Sequence, residues 1–525
     1  MKRDFSLLNA QQFDLLVCGG GIYGAWTAYD AALRGLNVAI IEQNDWASTT
    51  SSASTKLIHG GLRYLQSYDF KLVKKSLNER QMLLKAAPHR VWPLRFGIPL
   101  TTNNPINWLR YKFGLTLYDW LASDASPTMR HCHLNQASFA QHFPALEPST
   151  LQGGFTYADA QTDDARFVLE LISGAMSAGA VAVNFSKMTQ VIEKNGQAVG
   201  AMIEDQLTGN ELEIHAKQIV NATGQWITAT EQGHDWCRMT KGVHLVMPAI
   251  LKDEALLLNA KSDGRVFFMI PWYGCTLLGT TDTDYVDSST RARVDASDID
   301  YLLAAANDYL KTNWTESDII GRFAGVRVLK QSTQSAPSAI SRDWELKTAD
   351  NGVHYSIGGK ITSARQDAAH IVDTICSKLG TKTPCATQDR PFPWAPQDNF
   401  TSWFTSMLQQ AIPLGVDAKS ASWLIRRHGT RVTEILHDIE MKPGLAKRII
   451  PSMPFILADL EFCARSEMVV HLDDLLRRRM PLLILTQLTT HDLQQITAHI
   501  ADIMQWDDAI INAEIERCRQ QWMLH

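Results

Sequence analysis

The stretch FDLLVCGGGIYGAWTAYDAALRGLNVAIIE, residues 13–42, decides the fold of this chain. Residues 13–18 form a mostly apolar run, which predicts a short buried β-strand. Gly19, Gly21 and Gly24 follow it at once and complete a G-x-G-x-x-G pattern. Such glycines let the backbone approach a pyrophosphate closely when they stand between a strand and a helix.

The residues after the glycines predict the rest of a βαβ unit. They are rich in alanine and indicate a helix that ends at Gly35, before a second strand that ends at Glu42. The helix N-terminus offers amide donors and a positive dipole end, and the acid accepts from ribose hydroxyls. The unit therefore predicts a dinucleotide site, but NAD and FAD sites share this layout.

Two later strand ends favour FAD. The strand in IHAKQIVNATG, residues 214–224, runs into small residues, and the strand in VHYSIGGKITSAR, residues 353–365, runs into a Gly-Gly turn and a helix. A second helix N-terminus can stabilise partial negative charge on a flavin ring. Three glycine-containing strand ends so far apart predict one discontinuous fold around a long cofactor.

Composition limits the class of protein. The chain has 525 residues, of which 45% are hydrophobic and 20% charged, so it can form two to four domains with large cores. The net charge of -5 does not point to nucleic acid as a partner. The eight cysteines include no C-x-x-C pair, and we expect free thiols and no metal site. We find neither a signal peptide nor an apolar run long enough for a transmembrane helix.

A second stretch, SSASTKLIHGGLRYLQ at residues 51–66, combines small and hydroxyl residues with three basic side chains. An ordinary serine-rich turn would explain the hydroxyls but not the pattern K-x-x-H-G-G-x-R-Y. We expect the small residues to approach a cofactor, and the basic ones to meet an anion or exchange a proton.

Taken with GGGIYG, DDAR, NATGQW, KGVHLV, PWYGCTLLGTTDTDY, AGVRVL, AISRD, GGKIT, RHGT and LADLEFCARSEMVVHLDDLLRRR, this stretch resembles the FAD-dependent glycerol-3-phosphate dehydrogenases. The resemblance spans nearly the whole chain. It implies an α/β fold with a discontinuous Rossmann-like FAD-binding domain, an α+β substrate domain containing an antiparallel sheet, and a C-terminal helical cap domain.

The expected boundaries follow from the resemblance and from a proline-rich segment, residues 381–400, that predicts a linker. We expect the FAD-binding domain at 1–100, 151–235 and 346–385, a substrate-domain insertion or membrane-proximal segment at 101–150, the substrate domain at 236–345, and the helical domain at 401–525.

The cofactor site is predicted from the glycine turns and from the resemblance. We expect FAD to be bound by Gly19, Gly21, Gly24, Glu42, Ser51, Ser52, Ser54, Lys56, His59, Gly60, Thr223, Gly224, Gly359, Lys360, Ile361 and Thr362.

Oxidation of a phosphorylated secondary alcohol needs cations for the phosphate and a base for the hydroxyl proton. The resemblance places Arg327 and Arg342 at the substrate and Lys360 beside substrate and flavin. Arg63 and Tyr64 are expected to project toward the substrate.

Histidine titrates near neutral pH and suits a general base. His244, in the apolar strand VHLVMP, is the preferred base, and His59 is expected to position the flavin. Which of the two is the base stays open at this stage.

Three residues depart from the pattern of the family: Gln225 and Val328 where many members have proline, and Ala364 where they often have tyrosine. Such changes alter turn stiffness and pocket space. They bear on the identity of the substrate more than on its class.

The predicted reaction is oxidation of sn-glycerol 3-phosphate to dihydroxyacetone phosphate, with a hydride passed from C2 to flavin N5. The alternatives are a dehydrogenase or oxidase for another phosphorylated or phosphonylated alcohol, an amine or amino-acid oxidase, and a flavin-bound protein without turnover.

The expected partners are a small anionic alcohol and an electron acceptor, which is a quinone, oxygen or a protein. The aromatic stretch at residues 106–122 and LLRRRM at 475–480 are candidates for membrane contact, although a buried helix and a solvated helix face explain them as well. We expect a cytoplasmic protein, with peripheral contact at the inner face of the cytoplasmic membrane and a homodimer both left open.

Overall fold

The computed structural model describes residues 1–65, 68–101, 105–122, 126–229, 236–286, 292–331 and 343–524. These residues form two sheets and a set of helices that cover them.

The strands, in chain order, are β1 Phe13–Cys18, β2 Val38–Ile41, β3 Leu57–Ile58, β4 Val91–Pro99, β5 Cys132–Leu134, β6 Gly154–Thr162, β7 Val181–Val183, β8 Ser186–Lys194, β9 Gln197–Asp205, β10 Glu211–Asn221, β11 Cys237–Met247, β12 Glu254–Asn259, β13 Val266–Trp272, β14 Cys275–Gly279, β15 Thr283–Tyr285, β16 Gly321–Lys330, β17 Trp344–Thr348 and β18 His354–Gly358.

The helices are α1 Ile22–Leu33, α2 Phe70–Ala86, α3 Pro105–Leu121, α4 Gln136–His142, α5 Asp164–Ser177, α6 Ala296–Asn307, α7 Ala364–Lys378, α8 Phe400–Ala411, α9 Ala418–His428, α10 Val432–Met441, α11 Leu457–Ser466, α12 Leu472–Asp474, α13 Leu482–Leu485, α14 Thr490–Met504 and α15 Asp508–Leu524.

The first sheet has the strand order β17-β18-β10-β1-β2-β7. Strands β18, β10, β1, β2 and β7 are parallel neighbours, and β17 joins the edge antiparallel to β18. Parallel strands need crossover helices, and α1, α5 and α7 pack beside one another on this sheet. The strand β2 is buried at every residue, as its run of Val, Ala and Ile predicts.

The second sheet has the order β15-β11-β14-β13-β12-β4-β6-β3, with β16 on β11 and β5 on β6. Its pairs are antiparallel except β12 with β4. Leu256 and Leu258 pack in one core with α6, whereas Leu257, between them, packs in a second core with helices of the C-terminal region. Both faces of this sheet are therefore covered.

The expected fold class is confirmed: a discontinuous Rossmann-like part, a second part around an antiparallel sheet, and a helical C-terminal region. The strands β4 and β6 fall in segments that the sequence assigned to FAD binding, yet both pair in the second sheet. The domain boundaries themselves stay a prediction.

The proline-rich segment before the helical region is not a solvated linker. It has no regular helix or strand between residues 379 and 399, but Phe392, Trp394 and Ala395 are buried. These side chains pack against α1 and α5. The prolines exclude regular helix and strand but leave the apolar side chains of the segment free to pack. The C-terminal region is thus held firmly to the first sheet.

Buried ion pairs also join the C-terminal region to the first sheet. Arg166 in α5 donates to Glu467 at 2.9 Å, and Arg479 donates to Asp45, which follows β2. All four side chains are almost completely buried. Such pairs fix a docking geometry because separating the partners would leave a charge uncompensated in the interior.

Among the described residues, no helix is both long enough and apolar enough to cross a membrane. The helix α3 nevertheless exposes Leu109, Phe113 and Trp120, of which the last two are 70% and 74% exposed. This apolar face lies on the surface of the second part of the fold.

Candidate active site

A cavity of about 1010 Å³ runs from the glycine turn after β1 to the strands β11 and β16 of the second sheet. Its walls come from both sheets and from residues 47–64, which connect them. Such a long cavity has room for a dinucleotide and a small second ligand.

The glycine turn is built for close approach. Gly19 has φ +111°, and a β-carbon there would lie 2.5 Å from the carbonyl oxygen of Ala222. A β-carbon at Gly24 would lie 1.8 Å from the carbonyl oxygen of Gly19, so Gly24 allows α1 to pack on β1 and does not line the cavity. Gly21 is the N-cap of α1 and lines the cavity. The three glycines therefore perform the separate tasks that a dinucleotide turn requires.

Glu42 lies at the cavity wall directly after β2 and is buried. Its carboxylate accepts from the backbone N–H of Gly20 at 2.7 Å and of Asn44 at 2.9 Å. Burial raises the pKa of Glu42, which these amide donors oppose. The contacts fix the carboxylate beside the glycine turn, where a ribose would lie.

Within the second stretch, Ser51, Ser54, His59, Arg63 and Tyr64 line the cavity. The hydroxyl of Ser51 accepts from the backbone N–H of Ile22, the first residue of α1, at 2.9 Å. The stretch thus touches the glycine turn at one end and reaches the second sheet at the other.

Lys56 does not face the cofactor cavity, contrary to the expectation from the sequence. Its ammonium is buried and donates to Asp164 and to the carbonyl of Ser52, both at 2.6 Å. The same carboxylate accepts from the Ser54 hydroxyl at 2.7 Å. A buried ammonium needs a counter-charge, and Asp164 provides it from the start of α5. Lys56 therefore fixes the shape of the stretch.

Ser52 and Gly60 also lie outside the cavity lining. The Ser52 hydroxyl donates to the carbonyl of Thr49 at 3.2 Å. The backbone N–H of Gly60 donates to the buried carboxylate of Asp159 at 3.1 Å, and a β-carbon at Gly60 would collide with Leu77. Both residues therefore shape the stretch from outside the cavity lining, contrary to the expectation that they bind the cofactor.

The two later strand ends meet the glycine turn as expected. Thr223 and Gly224, after β10, line the cavity, and so do Gly359, Lys360, Ile361 and Thr362, after β18.

The Gly-Gly turn is held by contacts to the second stretch, residues 51–66, and to α1. The Thr362 hydroxyl accepts from the backbone N–H of His59 at 3.2 Å. A β-carbon at Gly359 would lie 1.7 Å from the phenol oxygen of Tyr23, so only glycine fits this turn.

Lys360 lines the cavity and contacts both α2 and the second stretch. Its ammonium donates to the Ser76 hydroxyl at 2.8 Å and lies 4.6 Å from the centre of the Tyr64 ring. The serine comes from α2, a segment in which the sequence suggested no site residue. Lys360 and Tyr64 are thereby brought together on one wall.

Arg327 is in β16 and reaches the cavity beside β14. Its guanidinium donates to the Thr280 hydroxyl at 2.7 Å, to the Thr281 carbonyl at 3.1 Å and to the Asp282 carboxylate at 3.2 Å. A β-carbon at Gly242 would lie 2.3 Å from this guanidinium. The turn after β14 thus orients a charged planar fork toward the cavity.

His244 is in β11, where its side chain is only 1% exposed. Its Nε2 lies 3.0 Å from the Thr55 hydroxyl, and its ring stacks on Phe323 at 4.9 Å between ring centres. Burial, and then the nearby charges of Arg327 and Lys56, hold the pKa of His244 well below its usual range. These effects keep the ring in its neutral form.

The remaining residues that the sequence singled out do not all lie at the cavity. Arg342 lies outside the described residues. Of the three departures from the family pattern, Val328 lines the cavity, whereas Gln225 and Ala364 are buried away from its lining. Only Val328 can change the pocket wall directly.

The sequence did not single out Thr55, Ser76, Arg265 or Asp282. Thr55 lies inside the motif-bearing stretch, but its partner His244 is 189 residues away. Arg265 lines the cavity and donates to the carbonyl of Asp282 at 3.2 Å. Asp282 could have been found from the sequence, because it belongs to the family motif PWYGCTLLGTTDTDY.

One group of possible metal ligands lies away from this site. The ligand atoms of His428, Asp459 and Cys463 are within 4.8 Å of one another. Asp459 is already ion-paired with Arg427 and bonded to His428 at 2.7 Å. The group belongs to the ion-pair network that docks the C-terminal region.

The residues present fit FAD: a glycine cradle, a fixed acid for the ribose, and a second glycine turn before the N-terminus of α7. Residues 14–365 match the family described as FAD dependent oxidoreductase, and residues 385–511 match the C-terminal domain of alpha-glycerophosphate oxidase. The fold and the cavity are therefore those of an FAD-dependent oxidoreductase.

Individual relatives narrow this class. The chain is 34% identical over 545 aligned residues to the aerobic glycerol-3-phosphate dehydrogenase of Bacillus subtilis, covering 100% of this chain and 97% of the relative. It is 35% identical to the glycerol-3-phosphate dehydrogenase of Synechocystis, covering 92% and 91%. The chain belongs to the FAD-dependent glycerol-3-phosphate dehydrogenase family.

Solved structures agree with this assignment. The glycerol-3-phosphate dehydrogenase of Bacillus halodurans, complexed with FAD, superposes with a TM-score of 0.81 at 29% identity, covering 99% of this chain and 96% of that one. The L-alpha-glycerophosphate oxidase of Mycoplasma pneumoniae has a TM-score of 0.56 at 18% identity, covering 73% and 100%, which is a likeness of fold.

Proposed function

We propose that this protein oxidises sn-glycerol 3-phosphate to dihydroxyacetone phosphate with FAD as its cofactor. One observation carries the proposal. A single cavity joins the glycine cradle of the first sheet to a neutral histidine, His244, and to the cations Arg63, Arg327 and Lys360. A flavin site, a base and an anion site are what oxidation of a phosphorylated alcohol needs.

The cofactor would be held by residues from three distant segments. Gly19, Gly21 and Ser51 would receive the pyrophosphate, Glu42 the ribose, and the turn at Gly359 the flavin ring. When bound there, FAD supplies the acceptor for a hydride from C2 of the substrate.

The cations on the other side of the cavity would bind the phosphate. Arg327 is held by three acceptors of the turn after β14, so its planar fork is oriented before a ligand arrives. Lys360 and Arg63, which line the same cavity, add further positive charge. We include Arg342 in this role from the sequence alone.

A panel of substrates tests the reaction class. Under anaerobic conditions, sn-glycerol 3-phosphate should bleach the visible absorbance of the flavin, whereas glycerol and free amino acids should not. Bleaching by an amino acid instead would identify an amine oxidase. Bleaching only by another phosphorylated alcohol would keep the anion site and change the substrate, a role to which Val328 in the cavity wall would contribute.

We also propose a quinone as the electron acceptor and peripheral contact with a membrane. Phe96, Tyr157, Leu257 and Phe268 form an apolar wall of the cavity, which suits an apolar ring. The exposed apolar face of α3, Leu109, Phe113 and Trp120, suits insertion at a lipid interface. Anaerobic re-oxidation of the reduced flavin by a water-soluble quinone tests the first part.

The location on the cytoplasmic side of the membrane and the homodimer stay predictions from the sequence. Fluorescence microscopy of the tagged protein tests the location, and analytical ultracentrifugation tests the homodimer.

A further inference from the structure

The route by which a proton reaches His244 is defined by the packing around its ring. One face stacks on Phe323, with an angle of 16° between the rings. A β-carbon at Gly279 would lie 2.2 Å from Cδ2 of His244, so the backbone of β14 covers one edge. Among the described residues, Nδ1 has no hydrogen-bond partner, and this atom is buried.

In the part of the chain that the structure describes, the hydrogen-bond partner of Nε2 is the Thr55 hydroxyl at 3.0 Å. Thr55 and His244 both line the cavity, but Thr55 is half-buried whereas His244 is only 1% exposed. A base must lie about 2.6–3.2 Å from the proton that it removes, or act through one intermediate group. Because Thr55 is the more exposed of these two hydrogen-bonded residues, its hydroxyl can pass a proton from the cavity to the ring.

The position of Thr55 is fixed on both sides. Ser54 donates to Asp164 through its backbone N–H at 3.0 Å and its hydroxyl at 2.7 Å. Lys56 donates to the other oxygen of the same carboxylate. One buried carboxylate thus anchors the residues before and after Thr55, and the hydroxyl keeps its place beside His244.

We propose that Thr55 is a catalytic proton relay between the substrate hydroxyl and Nε2 of His244. This proposal rests on the proposed function and names a further residue of that site. The substrate O–H bond breaks as a new O–H bond forms on Thr55, and the original hydroxyl proton of Thr55 moves to Nε2. The carbon-bound hydrogen leaves with its electron pair as the hydride of the proposed reaction, so protons and electrons balance.

The relay has a defined requirement. The neutral ring must carry its proton on Nδ1, so that Nε2 presents a lone pair to Thr55. After the transfer the ring is a cation beside Arg327, which lowers its affinity for the proton. Once the product has left, Thr55 passes its hydroxyl proton to water in the cavity and takes the proton back from Nε2, which restores the neutral ring.

Substitution of Thr55 by valine tests the relay, because valine matches the shape of threonine without the hydroxyl. We expect Thr55→Val to retain FAD and to bind substrate with a similar Kd, while the limiting rate of flavin reduction falls about 100-fold. Thr55→Ser should recover most of the rate. A rate in Thr55→Val within a factor of three of the unsubstituted protein would overturn the relay, and so would a serine variant as slow as the valine variant.

The pH profile separates a relay from a packing role. In the unsubstituted protein the limiting rate should fall at acid pH as His244 becomes protonated, and in Thr55→Val this acid limb should disappear. An unchanged acid limb in the valine variant would contradict the relay. Thr55→Ala provides the same comparison if the valine variant does not retain flavin.

Two controls complete the design. Thr240→Val removes a buried hydroxyl from the strand that carries His244, away from the cavity lining, and should leave the rate unchanged.

The unsubstituted protein distinguishes failure of the proposed function from failure of the relay. If sn-glycerol 3-phosphate does not reduce its flavin, the proposed function fails, whereas equal reduction of the protein and of Thr55→Val refutes the relay alone.

Discussion

The phenol oxygen of Tyr23, in the first turn of α1, accepts from the backbone N–H of Lys360 at 3.0 Å and donates to the Asp367 carboxylate at 2.9 Å. These residues are more than 330 positions apart in the chain. The contact joins the helix after the first glycine turn to the Gly-Gly turn after β18. The two ends of the predicted cofactor site are therefore fixed to each other directly.

Gly359→Ala should abolish FAD retention, because its β-carbon would lie 1.7 Å from the Tyr23 oxygen and push the two turns apart. We expect a purified variant with little bound flavin, measured by visible absorbance per protein. Gly35→Ala is the matched control. Gly35 has a similar φ, +85° against +92°, but a β-carbon there would meet nothing within 4 Å. Equal flavin content in both variants would contradict this role of the Tyr23 contact.

The ion pair between Arg479 and Asp45 should contribute strongly to stability. Removing one partner of a buried pair leaves an uncompensated charge and costs about 3–5 kcal/mol. Asp45 also pairs with Arg478 at 2.6 Å, so its carboxylate serves two buried guanidinium groups. We expect Asp45→Asn to lower the free energy of unfolding by this amount in a denaturant titration, and Glu516→Gln, at an exposed pair, to change it little. Arg479→Met should restore part of the loss in the double variant. A loss below about 1 kcal/mol in the single variant would refute the docking role.

Stability should also fall at acid pH through His428. Burial lowers the pKa of His428 to about 4, below the value of about 6.5 in an unfolded chain. The unfolded chain therefore binds a proton first as the pH falls, and the stability present above pH 6.5 is lost progressively toward pH 4. From pH 7.5 to pH 5 this amounts to about 2 kcal/mol.

Denaturant titrations at these two pH values measure the effect. The loss should be smaller in His428→Gln, and unchanged in His215→Gln, because His215 is an exposed histidine. A pH dependence identical in the unsubstituted protein and in His428→Gln would exclude this histidine as the cause.

The apolar face of α3 should govern attachment to lipid. Replacing Leu109 and Phe113 by serine should lower partition onto anionic phospholipid vesicles at least about 10-fold in a sedimentation assay, because less apolar area is transferred from water. Flavin content should not change. Leu207→Ser with Met441→Ser removes two exposed apolar side chains elsewhere. Vesicle binding that falls equally in both double variants would show that α3 is not the contact.

The sequence predicted the parts of the fold that depend on neighbours in the chain. Gly19, Gly21, Gly24 and Glu42 stand at the ends of consecutive elements, so spacing alone defined the βαβ unit and the turn. The family resemblance added the second sheet and the helical region. The later strand ends and the resemblance named FAD as the cofactor, which the βαβ unit alone did not distinguish from NAD.

The details that failed depend on partners far along the chain. Lys56 was expected at the cofactor, but its counter-ion Asp164 is 108 positions away and turns it into the interior. Thr55 was not singled out because its partner His244 is distant as well. Prolines at residues 381–400 indicated a linker, yet buried aromatic side chains attach this segment to the first sheet.

Anaerobic reduction of the flavin by sn-glycerol 3-phosphate tests the central claim most directly, when it is measured in the unsubstituted protein, in Arg327→Gln and in Arg322→Gln. Arg327 lines the cavity, whereas Arg322, in the same strand, does not. Loss of a charged hydrogen bond to phosphate should raise the concentration for half-maximal reduction about 10- to 100-fold in Arg327→Gln only. Flavin that stays oxidised in the unsubstituted protein at saturating substrate, or equal behaviour of the two variants, would contradict the account.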